Sequence, residues 1–219
     1  MHLPNGAQIF IDTLRDEDPI LATTATNAVT PVFTSADNDV AVGDILFITQ
    51  SGWSKLQNRV VRVTARTETD FTVEGVNTSN LLLFPAGVVA TTFIKITGWT
   101  ETPCVLEVAI DGGEQQYYNY QCLASENEEQ LPTFKSATTI TYTLGDDFES
   151  PTYPIFEEAD ETGDLHVFRM IVPKAKEVRY WVASVAFNNA PNTVVNEAES
   201  VNLALALKGK FTRLAVATA

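Results

Sequence analysis

The sequence predicts a mainly β protein, a sandwich or partial barrel with one short helix and an inserted small β domain. Apolar and polar residues alternate with a period of two along most of the chain, as in Thr139–Leu144, and this period indicates β-strands. Leu203–Leu207 repeats the pattern with large and small side chains. Helical periodicity is almost absent. The 219 residues, 45% of them hydrophobic, can bury the core of one large domain that carries an insert.

The insert is predicted at residues 34–97, where strands and turns follow each other at short intervals. Residues 1–33 and 98–219 would form the host sandwich. Turn-forming residues separate the predicted strands of the insert, and these strands are Ile45–Thr49, Arg59–Ala65, Phe71–Gly75 and Phe93–Ile96. We therefore expect a compact β unit with its own turns.

One segment, within Pro151–Thr162, is predicted to be helical. Ser150 can cap its first turn, and Pro151 is tolerated at the first helical position because the N–H that it lacks would be unpaired there. Gly163 can close the helix in the left-handed conformation.

A hairpin is predicted for Val105–Ile110 and Tyr117–Leu123, which flank the turn signal at residues 111–114. A two-residue turn would set Leu106 against Asn119 and mix the faces. A three-residue turn keeps an apolar face together and pairs Leu106 with Tyr120, and we choose it because a one-residue slip would reverse every side chain.

The same register pairs Glu107 with Asn119 and places Cys104 opposite Cys122 on the apolar face. We interpret the two cysteines as buried reduced thiols that act as small hydrophobic residues. A disulfide is the less favoured alternative for an intracellular protein.

The charge of the chain excludes whole classes of partner. Lys and Arg number 14 against 28 Asp and Glu, which gives a net charge of −14. Such a surface repels phosphate, so binding of nucleic acid through Lys and Arg is excluded and anionic membranes are disfavoured. Met1–Gly6 lacks the basic and apolar regions of a signal peptide, and the longest apolar runs are broken by Pro and Gly. We expect a protein made and kept soluble.

No constellation for catalysis, cofactor binding or metal binding is visible. His2 and His166, the two histidines, have no spaced ligand partners for zinc or iron. The sequence contains neither a G-x-S-x-G elbow nor a phosphate-binding glycine loop. We interpret His166 as a structural strand residue and the acidic run within the predicted loop Leu123–Ser136 as solvated charge. The protein is predicted not to be an enzyme.

The tryptophans allow one further interpretation; they are Trp53, Trp99 and Trp181. Together they could form a platform on which sugars stack. In a β protein of this size, however, they are more ordinary as core or edge residues.

The last 80 residues show a definite order of elements. The Thr-alternating strand leads to a short helix, the strands Leu165–Pro173 and Val178–Val185, an Asn-rich loop and the closing strand Val201–Leu207. This order resembles that of the major tail tube proteins of long, flexible-tailed bacteriophages. The insert is similar to a domain found in some of these proteins, through Val42-Gly43-Asp44, Ser51-Gly52-Trp53 and Phe84-Pro85-Ala86-Gly87.

The resemblance implies a structural virion protein without a cofactor. Its hexameric rings would stack into a hollow tube, with strands from every subunit joined into the inner wall and the insert outside. DNA would pass through the tube during ejection without being bound. The implied partners are other copies of the chain, the tape measure protein and the terminator and baseplate proteins, with no membrane. The implied location is the virion tail, after synthesis in the cytoplasm of the host bacterium.

Within that implied tube we assign residues to two roles. Polar strand faces opposite apolar ones are candidates for the channel wall: Glu107, Asn119, Gln121, Thr139, Thr141, Thr143, Ser200 and Asn202. Glu126, Glu128 and Glu129 lie in the loop that would reach the neighbouring ring. Two other functions stay open, namely another tail component (terminator or baseplate) and a carbohydrate-binding or receptor-binding sandwich.

Overall fold

The computed structural model describes residues 5–36, 38–102, 104–196 and 198–216. Strands account for 58% of the residues and helix for 6%, so the predicted mainly β class is confirmed. The strands are β1 (Gln8–Arg15), β2 (Ile20–Ala25), β3 (Val32–Thr34), β4 (Ile45–Ser51), β5 (Arg59–Arg66), β6 (Asp70–Glu74), β7 (Val88–Thr102), β8 (Val105–Gly112), β9 (Gln115–Tyr120), β10 (Glu129–Lys135), β11 (Thr138–Gly145), β12 (Leu165–Val172), β13 (Glu177–Asn192) and β14 (Ser200–Ala215). The helix α1 spans Tyr153–Thr162, and a 3₁₀ turn spans Pro173–Ala175.

Twelve strands form one antiparallel sheet in the order β2-β3-β6-β5-β4-β7-β1-β12-β13-β14-β11-β8. An additional pairing of β2 with β7 closes the first six of these strands into a barrel. Two of the six, β2 and β3, begin before residue 34. The 15-residue β7 connects the two parts of the molecule, because its first half completes the barrel and its second half pairs with β1.

The barrel is filled by its own aromatic cluster. The rings of Phe33, Phe71 and Phe93 lie 4.9–5.9 Å apart, in one stacked and two edge-on pairs, geometries that add to the burial of their area. The strands predicted for this segment occur as β4, β5, β6 and part of β7, each with slightly different ends.

The remaining strands form a curved sheet around a second core. Ile9 of β1 and Ile140 of β11 belong to the same buried cluster although three strands lie between them, so the sheet bends around it. Helix α1 covers this core with Phe156, whose ring lies 5.4 Å from that of Phe187.

Helix α1 ends at Gly163, which adopts the left-handed conformation as predicted (φ 68°). Its beginning differs from the prediction: the N-cap residue is Thr152, with no side-chain capping bond, and Ser150 bonds the Thr152 hydroxyl instead. Pro154 lies in the first turn, where the N–H that it lacks has no intrahelical acceptor.

A third cluster fastens the barrel to the curved sheet. Phe47 and Val60 on the outside of the barrel pack against Val182 and neighbouring residues of β13 and β14. The buried Thr212 hydroxyl donates to the carbonyl of Val60 at 2.8 Å, and Arg62 donates to the carbonyl of Ala215 at 2.9 Å. The barrel is therefore seated on the sheet through both apolar and polar contacts.

A buried carboxylate, Asp12, ties β1 to β12. Asp12 is 1% exposed, accepts bonds from the Val167 N–H at 2.9 Å and from His166 Nδ1 at 3.0 Å, and is paired with Arg15. Burial alone would raise the pKa of Asp12, but the bonds from His166 and Arg15 and the charge of Arg15 outweigh burial, so its pKa lies below the ordinary value. His166 is thus a strand residue with a structural partner.

Replacing Asp12 with Asn should lower the free energy of unfolding at pH 7 by about 2–4 kcal/mol, because Arg15 and His166 lose their charged acceptor. A carboxylate with a lowered pKa stabilises the fold above about pH 4 and loses that contribution as the pH falls through the folded-state pKa. Urea unfolding at several pH values should therefore show a steeper acid loss for the wild type than for Asp12→Asn. The exposed Asp18→Asn variant is the control, and equal stability of the two variants at pH 7 would contradict the prediction.

Candidate assembly surface

Strand β8 continues into β9, and β10 continues into β11. The four strands together therefore form one long two-stranded ribbon. Strand β8 pairs with β11 up to Gly112↔Thr138, and β9 pairs with β10 from Gln115↔Lys135. The Ser136 N–H donates to the Glu114 carbonyl at 2.9 Å and joins the two ladders. The predicted hairpin between β8 and β9 is therefore wrong: the ribbon turns at its tip, residues 121–128.

The glycines that suggested a turn mark a kink in the ribbon. Gly112 and Gly113 both have φ +80°, a conformation that residues with a Cβ rarely adopt. A Cβ on Gly112 would lie 1.9 Å from the Ala137 carbonyl oxygen, so the opposite strand crosses closely at this point. Consecutive glycines permit a reverse turn and a kink equally well, and the pairing partners decide between them.

Two consequences of the predicted register are also wrong. Glu107 lies opposite Thr143 and not opposite Asn119. Cys104 and Cys122 are both exposed, so they are not buried thiols, and no ladder places them opposite each other. The second half of the predicted loop Leu123–Ser136 is strand β10.

Strands β8, β11, β14 and β13 bring most of the predicted wall residues onto one polar face. Their registers place the small or polar side chains of this face in three parallel rows: Glu107, Thr143, Asn202 and Asn188; Ala109, Thr141, Ala204 and Ala186; Asp111, Thr139, Ala206 and Ser184. Ser200 lies at the end of the same face, opposite Gly145. We call this surface the polar face.

The polar face carries few charges. Glu107 and Asp111 are its exposed acids, and Lys208 follows in the next row, opposite Val182. Within the three rows, short side chains and like-signed carboxylates offer a polyanion no site for ion pairing. Asp111 was not predicted as a wall residue because residues 111–114 were interpreted as a turn. Its period-two spacing from Glu107 would have placed it on the same face as Glu107.

The other predicted residues lie on the outer half of the ribbon. Asn119 is on β9, Gln121, Glu126 and Glu128 are in the tip, and Glu129 begins β10. We call residues 113–137 the arm. All residues of β10 are exposed, and within the described part of the chain β9 and β10 pack substantially only against each other.

Among the residues that the structure describes, β8 is the free edge of the twelve-stranded sheet, since the other end of the strand order is closed by the barrel. Free edges are a template for pairing with another chain. On the side of β8 opposite the polar face, three large apolar side chains are exposed, and we call them the apolar strip: Leu106, Val108 and Ile110.

Residues 51–216 match the model of the phage tail tube protein family. The chain belongs to this family. The predicted resemblance is thereby confirmed, and the match spans three of the six barrel strands (β5, β6 and β7), the whole ribbon and most of the curved sheet. No curated protein matches the sequence significantly.

For a tail tube protein the tryptophans have ordinary structural positions. Trp53 is buried in the barrel and donates its indole N–H to the Pro85 carbonyl at 2.9 Å. Trp181 is buried in the core of the curved sheet. The guanidinium carbon of Arg169 lies over the ring of Trp99, 4.5 Å from its centroid. The three rings belong to different environments and form no common platform.

The part of the chain that the structure describes holds no group of three or more His, Cys, Asp or Glu arranged for a metal ion. Among the same residues, no helix is long and apolar enough to cross a membrane.

Proposed function

We propose that this protein is the subunit of a tail tube made of stacked hexameric rings, through which DNA passes during ejection. Membership of the tail tube family supports a structural role in the virion tail. The main support for a polymer is that the same chain has both a free sheet edge and an uncovered arm. A contact between two different surfaces of identical chains repeats from copy to copy and generates rings or filaments.

The proposal extends to the partners and the place of assembly. The tube would surround the tape measure protein and end on the terminator and baseplate proteins, after synthesis in the cytoplasm of the host bacterium. No cofactor is required, because joining strand edges and covering apolar side chains supply the energy of assembly.

Negative-stain images and sedimentation of the concentrated protein test the proposal. Tubes with six subunits per ring are the expected result. Single rings would instead indicate a cap or connector. A strictly monomeric protein at every concentration, salt and temperature tried would contradict self-assembly.

We also propose that the polar face lines the channel. Thr139, Thr141, Thr143, Ser200 and Asn202 would give a smooth polar wall, with Glu107 and Asp111 adding negative charge. An unpaired carboxylate in a strand avoids burial because desolvation is costly, and a channel provides water. Asn119 and Gln121 would join the wall only where the arm also borders the channel.

Phage carrying Glu107→Lys should assemble tails but eject DNA several-fold more slowly at low ionic strength. Lysines repeated around each ring would bind passing phosphates, and salt would weaken the effect by screening. Glu161→Lys, which changes the same charge at an exposed position of α1, is the matched control. Ejection rates of Glu107→Lys equal to those of the control at low salt would place Glu107 outside the channel.

We propose that the insert, predicted at residues 34–97, lies on the outside of the tube. In the structure its strands belong to the closed barrel. Its removal is an ambiguous test, because it would uncover Val167, Tyr180 and Val182, which are buried beneath the barrel. An epitope inserted after Leu82, which is 92% exposed, avoids this problem. Antibody should decorate intact tubes along their length; tubes that form but bind no antibody would place this loop at an interface.

A further inference from the structure

Two apolar surfaces of the ribbon are uncovered. The apolar strip of β8 (Leu106, Val108, Ile110) is 46–67% exposed. On the arm, three more large side chains are 52–69% exposed: Tyr118, Leu131 and Phe134. Two of these, Tyr118 and Leu131, form the aromatic face of the arm together with Tyr120.

The apolar strip is the outer margin of the core of the curved sheet. Ile110 lies opposite Ile140 and Val108 opposite Tyr142, and both partners are buried in that core. Next to the strip, a groove of about 320 Å³ is lined by Leu106, Val108, Ile9 and Met170, among others. Among the described residues, this groove separates the free edge of β8 from the strands β1 and β12, and Asn5–Ala7 also line it.

The aromatic face of the arm is set by the register of β9 and β10. Tyr118 lies directly opposite Leu131, and its ring is stacked with that of Tyr120 at 6.5 Å. Tyr117 is on the opposite face, across from Pro132. A two-stranded ribbon alone is marginally stable in water, so the arm needs a surface to cover it.

We propose that the aromatic face of the arm of one copy docks over the apolar strip and groove of a second copy. This inference rests on the proposed self-assembly and names the two surfaces that meet. The strip from Leu106 to Ile110 spans four residue steps, about 13 Å at the rise of a strand. Along β9 the aromatic face runs from Tyr118 to Tyr120, so it fits over the centre of the strip, around Val108.

The charge of the chain favours an apolar contact of this kind. Copies with a net charge of −14 repel each other, so attraction between them depends on burying apolar area. The three side chains of the strip carry no charge, and the free edge of β8 offers unpaired backbone groups to an incoming strand. Within the described residues, the arm packs on no other element of its own chain to a comparable extent.

Disulfide trapping between separate chains tests the inference. In a background with Cys104→Ser and Cys122→Ser, one chain carries Val108→Cys and another, tagged for mass, carries Tyr118→Cys. Mixing under assembly conditions and mild oxidation should give cross-linked pairs of unlike chains, at least tenfold more than with Tyr117→Cys. Tyr117 is the matched control because it is adjacent, of the same type and 55% exposed, but on the opposite face.

Equal cross-linking of the two tyrosine positions, or none at either, would overturn the inference. If the cysteine variants oxidise poorly, the concentration needed for polymerisation is a second measurement. Tyr118→Ser should raise this concentration about tenfold, and Tyr117→Ser should raise it less than twofold. Equal effects of these two would also overturn it. If the background protein forms tubes while these tests fail, only the docking assignment is wrong; if it forms no tubes, the proposed function itself fails.

Discussion

Replacing Gly112 with alanine should abolish polymerisation while leaving the subunit folded. Residue 112 has φ +80°, where an L-residue costs about 1–2 kcal/mol, and the new Cβ would meet the Ala137 carbonyl oxygen at 1.9 Å. The strands must move apart at the kink, which redirects the arm. Gly112 is exposed at the end of β8 and contributes nothing to the cores, so the fold should survive.

The control for this variant is Gly43→Ala. Gly43 also has a positive φ, +99°, but no atom lies within 4 Å of its added Cβ. It therefore carries backbone strain without a collision. Near-UV circular dichroism should be unchanged in both variants, and light scattering should show polymer for Gly43→Ala alone. Tubes of normal length from Gly112→Ala would show that the kink does not direct assembly.

Removal of the arm should have an equally large effect on assembly and little on the subunit. Gln115 and Lys135 are paired partners, so Asn-Gly can join them directly in a two-residue hairpin turn. The excised segment, residues 116–134, contributes no residue to the buried clusters. We expect a melting temperature within a few degrees of the wild type and no tubes, because stacking would have lost its reaching element.

A shorter excision separates the tip from the arm. Tyr120 and Glu129 are also paired, and joining them by Asn-Gly removes Glu126 and Glu128 but keeps the whole aromatic face. Electron microscopy should show short or irregular stacks for this variant and, at most, single rings for the full excision. Normal tubes from the full excision would rule out the arm as the contact between rings.

The sequence by itself determined which side chains share a face. Period-two alternation correctly placed Leu106, Val108 and Ile110 together and opposite Glu107, and it placed Thr139, Thr141 and Thr143 opposite a buried face. It also located the end of α1 at Gly163. These features are local, because the direction of a side chain along a strand depends only on position parity.

Only the tertiary structure decided which strands pair. The glycines at 112 and 113 are compatible with both a turn and a kink, and the ladder from β11 and β10 selects the kink. Likewise, closure of the barrel depends on β2 meeting β7, far apart in the chain. The polar face, the free edge of β8 and the uncovered arm all follow from such distant pairings, which are set by backbone hydrogen bonds and packing between remote segments and leave no local trace in the residues.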